Sequence, residues 1–292
     1  MQKAECRRRR PSSFFLLPSS FSRAFTLLEL LAVIAIMGII AAIALPTMNS
    51  LKPNVAAAAT RQLLDAVTHA RQLALSQRTT VYMVFVPPSF WADGNYNVNW
   101  TPNDQVAATN LLEKQMIGYT YVSLRSIGDQ PGVSYPRYLA PWRTLPQGAY
   151  ISLEKFTYND PRARNPAPVL TIRTNGLVAY RVYGFNTNNI FPFPLEQTTP
   201  AVVVNGISHW ITLPYIAFDG MGQLVSGSSS LPEFLPVTQG SVSIPRDPAT
   251  KVALPRPFTP REVPPGNTIN NFNLVYVDQL TGRARIERTK VQ

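Results

Sequence analysis

The stretch RAFTLLELLAVIAIMGIIAAIALP, residues 23–46, decides the fold. From Phe25 to Leu45 the run is apolar apart from Thr26 and a single carboxylate, Glu29. As a helix these 21 residues reach roughly 30 Å, about the thickness of a bilayer's hydrocarbon core. Glu29 is the anomaly, because a carboxylate inside a membrane helix costs about 2.5–3.5 kcal/mol at mid-helix and less nearer the interface. Such a charge calls for a partner.

The flanks orient the segment. Residues 1–24 hold Lys3, Arg7, Arg8, Arg9, Arg10 and Arg23 against Glu5, and positive charge is sparse just after the run. That asymmetry places the N-terminus in the cytoplasm and everything after the run outside it. A plain membrane anchor explains the apolarity and leaves Glu29 unexplained. A secretory signal peptide would use Ala42-Ile43-Ala44 as an A-x-A-like cleavage site. The run is longer than the usual apolar region of such a peptide, and an acid within it is disfavoured.

A third reading uses every residue. The stretch resembles the N-terminal signal of type IV pilins and type II secretion pseudopilins, in which a Phe heads an F-T-L-x-E motif. The resemblance implies cleavage by a prepilin peptidase between Ala24 and Phe25, N-methylation of Phe25, and a role for Glu29 in subunit assembly. Most members have Gly before the cut, and Ala24 departs from that pattern. It further implies that Glu29 neutralises the α-amine of a neighbouring subunit's Phe25. Opposite charges in a low-dielectric surrounding attract strongly, and leaving one unpaired is costly, so the pair would fix register.

Downstream, Met48, Leu51, Val55, Ala59, Leu63, Ala66, Val67, Ala70 and Leu73 recur at helical spacing, with Arg61, Asp65, Thr68 and Gln72 opposite. We expect one long helix over 25–78, with 25–45 in the membrane and bends near Pro46 and Pro53. All prolines but Pro11, Pro18, Pro46 and Pro53 lie between Pro87 and Pro265, which favours short strands and irregular loops there. TTVYMVFVP (79–87) reads as a strand, with YTYVSLR, AYISLEKF, APVLTIRTNGLVAYRVYGF, HWITLPYIAFDGMGQLVSG, GSVSIP, NNFNLVYVD and GRARIERT as further ones. Asn175-Gly176 and Asp219-Gly220 are turn signals. The expected architecture is α+β and pilin-like: a basic leader 1–24 that is removed, the helix 25–78, and a mostly antiparallel β domain over 79–292 with an insertion at about 88–150.

IAFDGMGQL (216–224) followed by LVYVDQLTGRARIE (274–287) resembles the closing strands of GspH/FimT-like minor pseudopilins. The implied function is a structural subunit of a type II secretion pseudopilus or type IV pilus-like fibre. Implied partners are prepilin peptidase, other pilin or pseudopilin subunits, the inner-membrane assembly platform and membrane lipid. Its implied location is the inner membrane, single-pass, with the C-terminal domain outside the cytoplasm. Two alternatives stay open: an anchored ectodomain that never assembles, and a DNA-binding minor pilin. For the latter, Gly282, Arg283 and Arg285 match the G-R-x-R motif of FimT-like pilins that take up DNA. The competing reading is that these arginines keep an edge strand soluble.

No catalytic constellation emerges, and no enzyme activity or cofactor is expected. His69 and His209 lack spaced ligand partners, and Cys6 is the only cysteine. Asp219 and Asp278 read as turn formers, since a calcium site needs several oxygens close together. Tyr96, Trp100, Trp142, Phe191 and Phe193 could line a recognition surface, but aromatic anchors of a thin, proline-rich domain are the simpler expectation.

Overall fold

The computed structural model describes residues 27–50, 55–94, 96, 100–125, 128–129, 136–157, 167–174, 177–193, 210–226 and 231–288. The chain divides into two compact units, 1–52 and 53–292. In the first unit, helix α1 runs Leu27–Ser50 and carries Glu29 in its first turn. The second unit opens with α2, Val55–Gln77. The sequence between α1 and α2, with Pro53, lies outside the described residues, so the continuous helix expected over 25–78 is described as these two parts.

The second unit continues with β1 Val81–Phe85, α3 Pro102–Leu112, β2 Gly118–Ser123, β3 Arg137–Tyr138, β4 Arg143–Thr144 and β5 Ala149–Ile151. Then follow β6 Leu170–Thr174, β7 Leu177–Val182, β8 Ile190–Pro192, β9 Trp210–Thr212, β10 Tyr215–Phe218 and β11 Glu233–Ser241. Last come β12 Arg261–Glu262, α4 Asn267–Asn270, β13 Asn273–Val277 and β14 Ala284–Arg288. One sheet orders β10-β1-β2-β3 with β4 also on β2, a second orders β12-β11-β13-β14 with β5 on β11, and β6–β7 and β8–β9 pair separately. Among the described residues every strand pairing is antiparallel.

The alanine-rich face of α2 packs across both sheets. Ala59, Leu63, Ala66, Val67, Ala70 and Ala74 are buried against Val81, Met83 and Phe85 of β1, Tyr119 and Tyr121 of β2, and Val275 and Val277 of β13. Small side chains let the helix approach the sheets closely, while Arg61, Asp65, Thr68 and Gln72 are exposed as their spacing predicts. The alternate residue of β1, Val84, enters a second cluster with Phe90, Leu111, Phe191 and Phe193 on the other face. A strand buried on both faces reads as a continuous apolar run, which is the character of TTVYMVFVP.

The segment 88–150, expected as an insertion, supplies β2, in register with β1 from Val81↔Ser123 to Phe85↔Tyr119. It also supplies α3, where few helices were expected. Thr101 and Asp104 form a reciprocal capping box there, with Pro102 in the first turn. The strand expected at GSVSIP lies earlier: β11 covers Glu233–Ser241 and includes Pro236. That proline is tolerated because the ladder with β5 ends beside it. Ser152 N–H donates to the Pro236 carbonyl, and the Ser152 carbonyl is taken by Lys155 N–H, so no acceptor awaits the missing amide.

Candidate functional site: the N-terminal segment and the basic strand

In α1, Leu27, Leu28, Leu30, Leu31, Ile34 and Met37 are all exposed. An apolar helix exposed all round is not a soluble surface helix. Glu29 is the acidic residue of the first turn, where the positive end of the helix dipole favours a carboxylate. Ala24 and Phe25 lie outside the described residues. Among the described residues no helix is long and apolar enough to cross a membrane, so the span 25–45 stands on the sequence argument alone.

Towards the other end of the chain, β14 pairs among the described residues only with β13, from Asn273↔Arg288 to Val277↔Ala284, and so lies at a sheet edge there. Alternation puts Ala284 inward, packed on the main core, and turns Arg285 and Glu287 to the other face. Arg285 lies with its guanidinium carbon 4.2 Å from the centre of the Tyr276 ring. Its Nε donates to Glu287 Oε1 at 2.8 Å. The Tyr180 hydroxyl donates to the other Glu287 oxygen at 3.0 Å. Arg285 is therefore partly neutralised, whereas Arg283 is exposed and has no carboxylate partner among the described residues.

Before Arg283 the chain makes the turn Asp278–Gly282. Asp278 Oδ1 accepts from the Thr281 N–H and hydroxyl, and these bonds hold its carboxyl below the usual range. Asp219 organises a matching turn by accepting from Met221 N–H and Gln223 N–H. Arg71 of α2 joins the two: its Nε donates to Gly222 O at 3.2 Å and Thr281 O at 2.8 Å. The two stretches that carry the resemblance to minor pseudopilins thus meet in space. Sequence reasoning singled out Asp219, Gly220, Asp278 and Gly282 but missed Arg71, whose only signal was its place on the flank of the buried stripe.

Both aspartates serve as turn formers, and among the described residues no three His, Cys, Asp or Glu side chains group to hold a metal. His69 packs edge-on against Tyr121, its ring centre 5.2 Å away. His209 lies outside the described residues. Phe191, Phe193 and Trp142 are buried anchors of the second cluster. Tyr96 and Trp100 are half-buried and border a cleft of about 280 Å³ beside α3. One buried ion pair was not foreseen. Lys155 Nζ contacts Glu233 Oε1, donates to Tyr183 O at 2.7 Å and sits over the Phe185 ring. Burial drives the Lys155 pKa down and the Glu233 pKa up, and their mutual contact opposes both shifts.

Compared with known proteins, residues 20–45 match the prokaryotic N-terminal methylation motif. Neither a curated protein nor a solved structure matches the chain. The match brackets Ala24, Phe25 and Glu29, the residues whose pattern suggested peptidase processing. The N-terminal segment of this chain thus carries a prokaryotic N-terminal methylation motif, which supports its likeness to the signal of type IV pilins and pseudopilins.

Proposed function

We propose that the mature chain, beginning at Phe25, is a minor pseudopilin of the GspH/FimT-like type. It is a structural subunit of a type II secretion pseudopilus or type IV pilus-like fibre, and not an enzyme. Before assembly it is held in the inner membrane by 25–45, with the β domain outside the cytoplasm. The observation that carries this reading is a single carboxylate, Glu29, in the first turn of α1, within a stretch, 27–40, that is otherwise apolar, exposed throughout and inside the matched motif. In the fibre Glu29 faces the α-amine of a neighbouring Phe25, and a subunit out of register leaves both charges unpaired in an apolar surrounding. Assembly partners are pilin-type subunits, with the inner-membrane platform loading them.

Mixed incorporation tests the reading. Glu29→Ala should insert into the membrane at least as well as the parent, because the ionised group opposes insertion. It should be excluded from fibres when produced beside the parent chain. Normal incorporation of Glu29→Ala removes the register role.

The DNA-uptake reading has one observation in its favour, the exposed Arg283, Arg285 and Arg288 on one strand edge. Contacts to a few phosphates would bind weakly and with steep salt dependence. The ion pair between Arg285 and Glu287 weighs against it. Duplex DNA titrated at two salt concentrations against the parent and Arg283→Ala/Arg285→Ala separates the two, since no binding at low salt removes the DNA reading.

A further inference from the structure

If 25–45 crosses the membrane, the chain ties one end of the β domain to it. Ten peptide links separate Leu45, the last residue of the apolar run, from Val55, the first of α2. Chain length alone then holds the start of α2 within about 35 Å of the bilayer core. Several stretches build the domain around that start. A Cβ at Gly148 would meet the Val55 side chain at 3.5 Å, and the Gly240 N–H donates to the Gly148 carbonyl at 2.9 Å. β12 lies alongside, with Gly240↔Glu262 and Ser241↔Arg261 in register. Gln62, two turns into α2, donates to the Thr144 carbonyl at 2.8 Å, and Thr144 pairs with Gly118.

This end is basic with every carboxylate counted as ionised. Residues 55–62, 113–118, 143–149 and 239–262 hold seven Lys or Arg against three Asp or Glu. Glu113 pairs with Arg246 at 2.7 Å, Asp247 accepts from the Ala249 and Thr250 amides, and Glu262 accepts from the Thr268 hydroxyl. The next acid along α2 is Asp65, one turn beyond Arg61. Arg61, Arg143 and Arg261 are exposed and make no ion pair among the described residues. Aliphatic side chains stand exposed beside them, Val263 at 50% and Ile269 at 46%. Both are carried on fixed backbone: the Val263 N–H donates to Gln239 O at 3.0 Å, and α4 grips the Gln239 backbone through Asn267.

We propose that, before assembly, this end of the β domain rests on the bilayer, with its arginines on the phosphates of anionic lipids and Val263 and Ile269 at the headgroup boundary. The proposal rests on the reading of 25–45 as a membrane segment. Guanidinium groups suit phosphate because they can donate two parallel hydrogen bonds to it. Aliphatic tips between cations are the pattern of surfaces that lie in the interface, where buried apolar area and attraction to anionic lipid add. Each such contact is weak and screened within about 8 Å at physiological salt. The tether offsets this, since it keeps the surface at a high effective concentration beside the lipid.

The experiment reconstitutes the full-length chain with Cys6→Ser, which removes its one cysteine, in vesicles of phosphatidylcholine alone or mixed with phosphatidylglycerol. A fluorophore is attached at Val263→Cys or Ile269→Cys and quenched by nitroxide carried in the lipid headgroup layer. Met221→Cys is the control, since its neighbour Gly222 packs on Leu75 at the other end of α2. The expected result is quenching at 263 and 269 that requires phosphatidylglycerol and is weak at 221. Arg143→Ala or Arg261→Ala should lower it about fivefold, the effect of one basic residue at an anionic surface. Quenching that is absent, equal in the two kinds of vesicle, as strong at 221 as at 263, or unchanged in both arginine variants overturns the docking. Shielding of 263 that appears only when a second pilin-type subunit is reconstituted alongside assigns this end to a protein neighbour and overturns it too. In each of these cases the chain still floats with the vesicles, and the membrane segment stands. A chain that does not float with them removes the membrane segment, and the docking with it.

Discussion

A Cβ at Gly282 would lie 2.0 Å from the carbonyl oxygen of Gly222, so the two turns that close the β domain touch backbone to backbone. Both glycines are left-handed, with φ of +61° at Gly282 and +78° at Gly222. The Gly-Arg pair that carries the resemblance to minor pseudopilins thus has a packing reason for its glycine. Gly282→Ala adds backbone strain to a collision with main-chain atoms, which have little room to yield. We expect a loss of about 2–4 kcal/mol, read by urea unfolding of the detergent-solubilised chain against the parent. Parental stability would mean that the turns can part without consequence.

Arg71 makes the same junction from the helix side. Arg71→Ala removes the shared Nε donor and leaves Gly222 O and Thr281 O to find water, for a loss of about 1–2 kcal/mol at this partly exposed site. Arg71→Lys should recover little, because lysine puts a methylene, Cε, where arginine has the donating Nε and carries its ammonium one bond further out. Hydrogen exchange of the Gly222 and Gly282 amides, which close their own turns onto Asp219 O and Asp278 O, would rise in both variants.

The buried pair sets a test of opposite design. Glu233→Gln strands the Lys155 ammonium in the core and should destabilise the domain by about 3–5 kcal/mol. Lys155→Met combined with Glu233→Leu removes both charges and should restore most of that stability. A double variant as unstable as Glu233→Gln would show that the pair is needed for more than charge balance.

Alkaline stability follows from three tyrosines. Burial pushes the Tyr121, Tyr150 and Tyr215 phenols well above their ordinary value near 10, and neighbouring phenols or carboxylates add to it. The folded state then holds these protons while the unfolded state releases them from about pH 10 upward. Their contribution is complete below pH 10 and falls as pH rises. Absorbance of tyrosinate should therefore appear together with unfolding for these residues; a smooth titration without unfolding contradicts the burial.

Much of the fold was legible where the signal is local. The Ala-rich stripe of α2 and the double-faced β1 follow from spacing alone, and Thr101-Pro102-Asn103-Asp104 announces α3 to a reader who counts capping boxes. β11 stayed hidden because Pro236 argues against a central strand until the end of the β5 ladder is known. At the candidate site, the motif around Phe25 and Glu29 is contiguous and so readable. Arg285 and Glu287 share a face by strand alternation, and this too was readable. The approach of Gly282 to Gly222, the reach of Arg71 to both turns and the union of Lys155 with Glu233 depend on tertiary contact between distant segments. No local pattern encodes them.

The intact mass of the mature protein extracted from membranes decides whether the chain is processed as a prepilin. Cleavage after Ala24 leaves a chain of 268 residues that begins at Phe25 and carries one N-methyl group. A chain beginning at Leu45, or one that retains residues 1–24, would contradict it.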